Sequence, residues 1–119
     1  MTTTPFSVLL PYYRSDDPEH LRRSFLSVTA DQTLPPDEVV LVQDGPTGPE
    51  LDEAVLALVA ASAVPVDHVR LEANVGLARA LEAGLVRCGD EVVARQGAAG
   101  VGRPERFAAQ LPLLERGFD

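Results

Sequence analysis

Glu38-Val39-Val40-Leu41-Val42, followed by Gln43-Asp44-Gly45-Pro46, decides how this chain is read. A short run rich in β-branched residues is a strand, and the Gly45-Pro46-Thr47-Gly48-Pro49 stretch after it is turn chemistry. The same grammar extends in both directions. Upstream, residues 6–10 are a short apolar run that predicts a buried strand, ended by Pro11. Asp16-Asp17-Pro18-Glu19 predicts a helix start, with Asp17 as cap and Pro18 at the first helical position. Leu21, Phe25 and Val28 then share one helical stripe, and Leu34-Pro35-Pro36 breaks the helix.

Downstream, the pattern predicts a helix over residues 49–63 with Leu51, Val55, Leu58 and Val59 inward, ended by Pro65. A third strand is expected over 67–71. Asn74-Val75-Gly76 opens a third helix whose Leu77, Leu81 and Leu85 should face the core, with Gly89 stopping it near Cys88. Residues 91–94 read as a fourth strand and residues 96–102 as a glycine- and alanine-rich loop. Pro104 begins a last helix with Phe107, Leu111 and Leu114 on one face, shortened or kinked at Pro112. Val8, Leu10, Val40, Val42, Val69, Leu71 and Val93 are expected in the sheet. Full burial is expected for Leu21, Phe25, Leu81, Leu85, Phe107 and Leu111.

Strands joined by helical crossovers make a parallel sheet covered on both faces, a Rossmann-like α/β layer. Ligands of such sheets sit at the carboxyl ends of the strands, here residues 11–14, 43–46, 71–74 and 95–97. The 119 residues are read as one domain. A four-stranded sheet is short for this architecture. It leaves an edge and an apolar surface near the fourth strand, so self-association as a dimer is expected, or strands lost by truncation.

Charge narrows the chemistry. All ten cationic side chains are arginine, against eighteen carboxylates, for a net charge of −8. Without lysine there is no Walker-A loop, kinase-type phosphate lysine or Schiff base. A response-regulator pocket is disfavoured for the same reason. So acidic a chain is a poor partner for nucleic acid. No apolar run reaches the length of a membrane span. The N-terminus does not read as a signal peptide, and the single Cys88 excludes an internal disulfide. These features fit a cytoplasmic location. His20 and His68 lack the spacing of a zinc pair, and each is read as a surface or packing residue.

At the strand ends, Tyr12 and Tyr13 can stack on a nucleobase or stand as rim residues. Asp44 can accept a hydrogen bond from a base N–H or a ribose hydroxyl, or can form an Asx turn. Asn74 can cap a helix, or can place a helix N-terminus toward an anion.

Taken together, Phe6-Ser7-Val8-Leu9-Leu10-Pro11-Tyr12-Tyr13-Arg14, Ser24-Phe25-Leu26-Ser27-Val28 with Gln32-Thr33, residues 36–46, residues 74–85, Val93-Ala94-Arg95 and Pro104-Glu105-Arg106-Phe107 resemble family-2 glycosyltransferases of the GT-A fold. The resemblance runs in order over nearly the whole chain. It implies a nucleotide-diphospho-sugar (NDP-sugar) donor site, with transfer of the sugar to an acceptor and a divalent Mg or Mn ion on the diphosphate. Pro11 matches the residue closing the first strand beside the base, Tyr13 the tyrosine stacked on it, and Asp44 the aspartate that binds the nucleoside. Arg95 matches the arginine before the family's Asp-x-Asp metal motif.

Where that motif should follow, the chain reads Gln96-Gly97-Ala98-Ala99-Gly100-Val101-Gly102, with no carboxylate. Hard divalent cations need oxygen ligands, commonly carboxylates, so no metal cofactor is expected. The family's catalytic base lies beyond the matched region, and neither Glu105 nor Glu115 is assigned to it. Arg95, Arg103 and Arg106 surround the altered loop. They can hold a diphosphate directly, giving weak, metal-independent binding, or Arg95 and Arg106 can pair with Glu91, Glu105 or Asp44. Two other readings stand beside this one. The chain can be a non-catalytic remnant that binds a nucleotide or a protein. Residues 97–102 also resemble the glycine-rich turn of a dinucleotide-binding oxidoreductase, although such turns follow the first strand of their unit, and the plainer reading of this loop is flexibility.

Overall fold

The computed structural model of the protein describes residues 5–90, 92–98 and 100. The expected last helix, with Phe107 and Leu111, lies outside the described residues, as do Glu91, Arg103 and Arg106. Seven elements follow in order: β1 (Phe6–Tyr12), α1 (Pro18–Val28), β2 (Glu38–Gln43), α2 (Pro49–Ala61), β3 (Val66–Arg70), α3 (Leu77–Leu85) and β4 (Val92–Arg95). The strands form one parallel sheet in the order β3-β2-β1-β4. The chain steps outward from β1 to β3, then returns to lay β4 on the other side of β1. That reversal puts a crevice between the carboxyl ends of β1 and β4.

The sheet is covered on both faces, as expected. Phe6, Val8, Leu10 and Tyr12 of β1, with Val39 and Leu41 of β2, pack against Leu21, Phe25 and Val28 of α1 and Leu51, Val55 and Leu58 of α2. The alternate residues Leu9, Val40 and Val42 pack beneath α3. Asp17 caps α1 as its position predicts: Oδ1 accepts from the N–H groups of Glu19 (2.9 Å) and His20 (3.1 Å).

Four details differ from the sequence reading. β1 does not end before Pro11 but runs through Tyr12. In a parallel ladder, alternate residues bond to opposite neighbours. The Tyr12 carbonyl accepts from Asp44 on the β2 side, and the Leu9 carbonyl from Gln96 on the β4 side. Pro11 shares the side of Leu9, but the β4 register ends at Leu9. Its missing N–H therefore breaks no ladder bond.

The second difference is at β3, which ends at Arg70; Leu71 still donates its N–H to the Gln43 carbonyl (2.9 Å). The third is the face of α3. Ala80 and Gly84 meet the sheet, Leu81 is half-buried, and Leu77 and Leu85 are 64% and 52% exposed. Leu9 and Val42 already fill the space under the helix. A Cβ on Gly84 would lie 2.3 Å from Leu9 Cδ1 and 2.5 Å from Val42 Cγ2. The helix therefore turns its smallest residues inward, and Leu85 is not a core residue.

The fourth concerns the ends of α3. The N-cap is Gly76, not Asn74. At the other end α3 stops at Leu85, short of Gly89. Gly89 instead donates its N–H to Glu38 Oε2 (2.6 Å).

Candidate functional site

The crevice at the sheet reversal is a cavity of about 380 Å³, bordered by Pro11, Tyr13 and Asp16 after β1, Asp44 after β2, Leu77 of α3, and Gly97 and Ala98 after β4, among others. The loops after β1, β2 and β4 and the loop before α3 meet here, and three sets of contacts hold the region together.

The first device joins the turn after β2 to the loop before α3. Gly45 adopts φ +88°, and a Cβ there would lie 2.5 Å from the Asn74 nitrogen. Only glycine allows this approach in this backbone conformation. The contact lets Asp44 reach across: Oδ1 accepts from the Val75 N–H (2.8 Å) and Oδ2 from the Gly76 N–H (3.2 Å). The Asn74 side chain returns an N–H to the Asp44 carbonyl (3.2 Å). Asp44 thus ties down donors at the start of α3, where a negative charge is favoured. This differs from the local Asx turn that its own neighbours suggest.

The second device is a chain of hydrogen bonds behind the cavity. Tyr12 is buried, and its hydroxyl donates to Gln43 Oε1 (3.0 Å). It therefore accepts from His68, whose Nε2 lies 2.7 Å away. That assigns the proton to Nε2 and leaves Nδ1 to accept from Arg70 Nε (3.4 Å). Gln43 Nε2 in turn donates to the Gly45 carbonyl (3.0 Å). Burial, and then the Arg70 charge, hold His68 below the usual imidazole range, against the opposing pull of Asp52 and Asp67. Burial and Asp52 push the Tyr12 phenol well up, against Arg70. His68 is the packing residue expected, stacked on Tyr12 with ring planes 28° apart. Both groups are neutral near pH 7 and hold structure rather than exchange protons.

The third device anchors the exit of β4. Ser24, buried on α1, donates its hydroxyl to the Gly97 carbonyl (2.6 Å) and accepts from Gln96 Nε2 (3.0 Å). The Gln96 N–H continues the ladder to the Leu9 carbonyl (3.0 Å), and the Gly100 N–H also reaches the Gly97 carbonyl (3.0 Å). Gln96, Gly97 and Ala98 are tethered by these bonds, while Ala99, Val101 and Gly102 of the same loop lie outside the described residues. Ser24 and Gln96 were not among the sequence candidates. One signal was available: Ser24 lies within the apolar stripe of Leu21, Phe25 and Val28.

Of the expected site residues, Pro11, Tyr13 and Asp44 border the cavity together. Tyr13 is 43% exposed, and its N–H donates to Asp16 Oδ2 (2.8 Å). Arg95 is exposed at the end of β4, in register with Leu9 and so on the α3 face, outside the cavity lining. Arg103 lies outside the described residues. Among the described residues no cluster of three His, Cys, Asp or Glu side chains could hold a metal ion. Around the cavity, Asp44 already accepts two N–H groups, Asp16 accepts from the Tyr13 N–H, and residues 96–98 offer only amide and backbone oxygens. That donor set does not fit a hard divalent cation. Burial and the neighbouring Glu38, Asp90 and Asp67 push the Cys88 thiol up to about 11, so it is no nucleophile at neutral pH.

Residues 7–119 match the family model described as "Glycosyl transferase family 2". The chain is 43% identical over 110 residues to the amylovoran biosynthesis glycosyltransferase AmsE of Erwinia amylovora, covering 92% of this chain and 40% of that protein. It is 31% identical over 117 residues to the UDP-Gal:alpha-D-GlcNAc-diphosphoundecaprenol beta-1,3-galactosyltransferase of Escherichia coli, covering 98% of this chain and 42% of that protein. Its fold superposes on the crystal structure of S. aureus TarS 1-349 in complex with UDP with a TM-score of 0.77 at 20% identity, covering 95% of this chain and 32% of that one. The chain thus spans about two fifths of the length of these curated relatives.

Proposed function

This chain belongs to glycosyl transferase family 2, and from that premise we propose that its cavity binds the nucleotide of an NDP-sugar donor without a metal ion. The observation that carries the reading is the convergence of Pro11, Tyr13 and Asp44 on one cavity at the sheet reversal. Tyr13 offers a half-exposed ring for stacking on the base. Asp44 keeps lone pairs beyond its two backbone bonds and can accept from a base N–H or a ribose hydroxyl. Arg103 contacts the diphosphate in place of a cation, and Arg95, exposed at the end of β4 but outside the cavity lining, adds positive charge nearby. Binding is weak, because the net charge of −8 opposes an anionic ligand. The UDP in the TarS structure and the UDP-Gal of the Escherichia coli relative support UDP as the probe.

The reaction of a complete protein of this kind is transfer of the sugar to an acceptor hydroxyl, with the nucleoside diphosphate leaving. The part of that work assigned to this chain is donor binding in a single GT-A-like domain. The lack of a carboxylate at residues 96–98 and the two backbone bonds on Asp44 favour a second reading, a non-catalytic unit that binds a nucleotide or a protein, with transfer impaired or absent. The proposed setting is cytoplasmic. Self-association near the fourth strand is supported by β4 standing at the sheet edge among the described residues, with the exposed Leu77, Leu85 and Val86 as further apolar surface, and light scattering tests it: a monomer at high concentration refutes it.

Calorimetry of UDP on the wild type, Tyr13→Ala and Arg103→Ala, all in EDTA, tests the site. The reading expects both variants to weaken binding. Wild-type affinity in both variants would refute it.

A further inference from the structure

The Ser24–Gln96 anchor does more than fasten a turn. The Gly97 carbonyl points to Ser24 on the α1 side and accepts from both the Ser24 hydroxyl and the Gly100 N–H. A trans peptide is planar, with its C=O and the following N–H directed oppositely. Drawing the Gly97 carbonyl toward α1 therefore turns the Ala98 N–H away from α1, to the side where Gly97 and Ala98 border the cavity with Leu77 and Ala80 of α3. Among the described residues the Ala98 N–H donates to no acceptor, although the Ala98 side chain is buried. Gly97 leaves its own surroundings open: a Cβ there would meet nothing within 4 Å. An oxyanion can therefore approach the backbone at this point.

We propose that the Gly97–Ala98 peptide is a phosphate-binding donor, aimed by Ser24 and Gln96 as positioning residues, with the Ala98 N–H taking a phosphate oxygen of the nucleoside diphosphate. The inference rests on the nucleotide reading of the cavity and names the group that meets the diphosphate there. A preorganised backbone N–H stabilises an oxyanion without a metal. Ser24 and Gln96 are buried, so they touch no ligand and act only through the peptide they orient.

The test compares UDP with uridine, which lacks the phosphates, in EDTA. Calorimetry is run on the wild type, Ser24→Ala and Gln96→Met, and the Ala98 amide is followed by 1H–15N NMR. UDP should shift the Ala98 amide proton downfield, and uridine should leave it in place. Each variant should lose UDP affinity about tenfold to a hundredfold, the scale of one charge-assisted hydrogen bond, while uridine affinity holds. Circular dichroism checks that each variant is folded. Gln96→Met keeps the size of the side chain and carries the test should Ser24→Ala fail to fold. An unmoved Ala98 amide, or equal losses for UDP and uridine, overturns this inference and leaves the nucleotide reading standing. A wild type that binds neither ligand overturns the nucleotide reading and this inference with it.

Discussion

Replacing Gly84 with alanine tests which face α3 turns to the sheet, and through it the wall of the cavity carrying Leu77 and Ala80. The new methyl would lie 2.3 Å from Leu9 Cδ1 and 2.5 Å from Val42 Cγ2. Both side chains are enclosed, at 1% and 0% exposure, so neither can swing aside. The helix must lift instead. Overpacking of this kind costs roughly 1–3 kcal/mol, and the better helix propensity of alanine returns roughly 0.8–1 kcal/mol. The net loss should be about 0–2 kcal/mol, lowering Tm by up to about 8 °C in a domain of this size. Leu85→Ala, on the exposed face, should stay within about 0.5 kcal/mol of the wild type. Leu9→Ala with Gly84→Ala should lose less than the sum of the single changes, because the methyl enters the space that Leu9 vacates. Urea and thermal melts followed by circular dichroism measure the wild type, the three single variants and the double variant. A Gly84→Ala protein more stable than the wild type, with a Leu85→Ala loss of roughly 2–5 kcal/mol as for a core leucine, would refute this packing.

Three other expectations follow from the same geometry. Gly45→Ala combines a positive φ with a Cβ 2.5 Å from the Asn74 nitrogen, and should cost about 2–3 kcal/mol in urea melts; a neutral result would show that the two loops are not in contact. His68 is held below its ordinary value of 6.5 in the folded state, so the unfolded chain binds the proton more readily. The stability His68 contributes is complete above that ordinary value and is lost as pH falls through it toward the folded pKa. Melts at pH 5.5 and 7.5 should differ less for His68→Gln than for the wild type, and an equal difference would contradict the hydrogen-bond chain. With its thiol pushed up to about 11, Cys88 should alkylate slowly at pH 8 compared with a free thiol and accelerate as pH rises toward that value; rapid labelling at pH 7 would argue against the burial.

The order of elements was legible because proline and glycine punctuate the crossovers and the central strands β1 and β2 are largely apolar, although β3 is not. What sequence patterning misses is what small residues and distant partners decide. Leu77, Leu81 and Leu85 form a helical stripe, but Ala80 and Gly84 form another, and the bulk of Leu9 and Val42 selects the smaller one. Pro11 looks like a strand terminator until the register shows that its missing N–H lies past the last β4 partner. The grouping of Pro11, Tyr13 and Asp44 was readable from the strand ends alone. The engagement of Asp44 by Val75 and Gly76 was not, because those donors lie some thirty residues downstream. Ser24 and Gln96 find each other across more than seventy residues, so beyond the placing of Ser24 in an apolar stripe nothing local marked their anchor.

The measurement that bears most directly on nucleotide binding without a metal is a calorimetric titration of the wild type with UDP, once in EDTA and once with Mn²⁺. With Asp44 bonded to two backbone N–H groups and no carboxylate at residues 96–98, the two titrations should give the same weak affinity. Binding that appears only with Mn²⁺, or no binding in either buffer, would contradict the account.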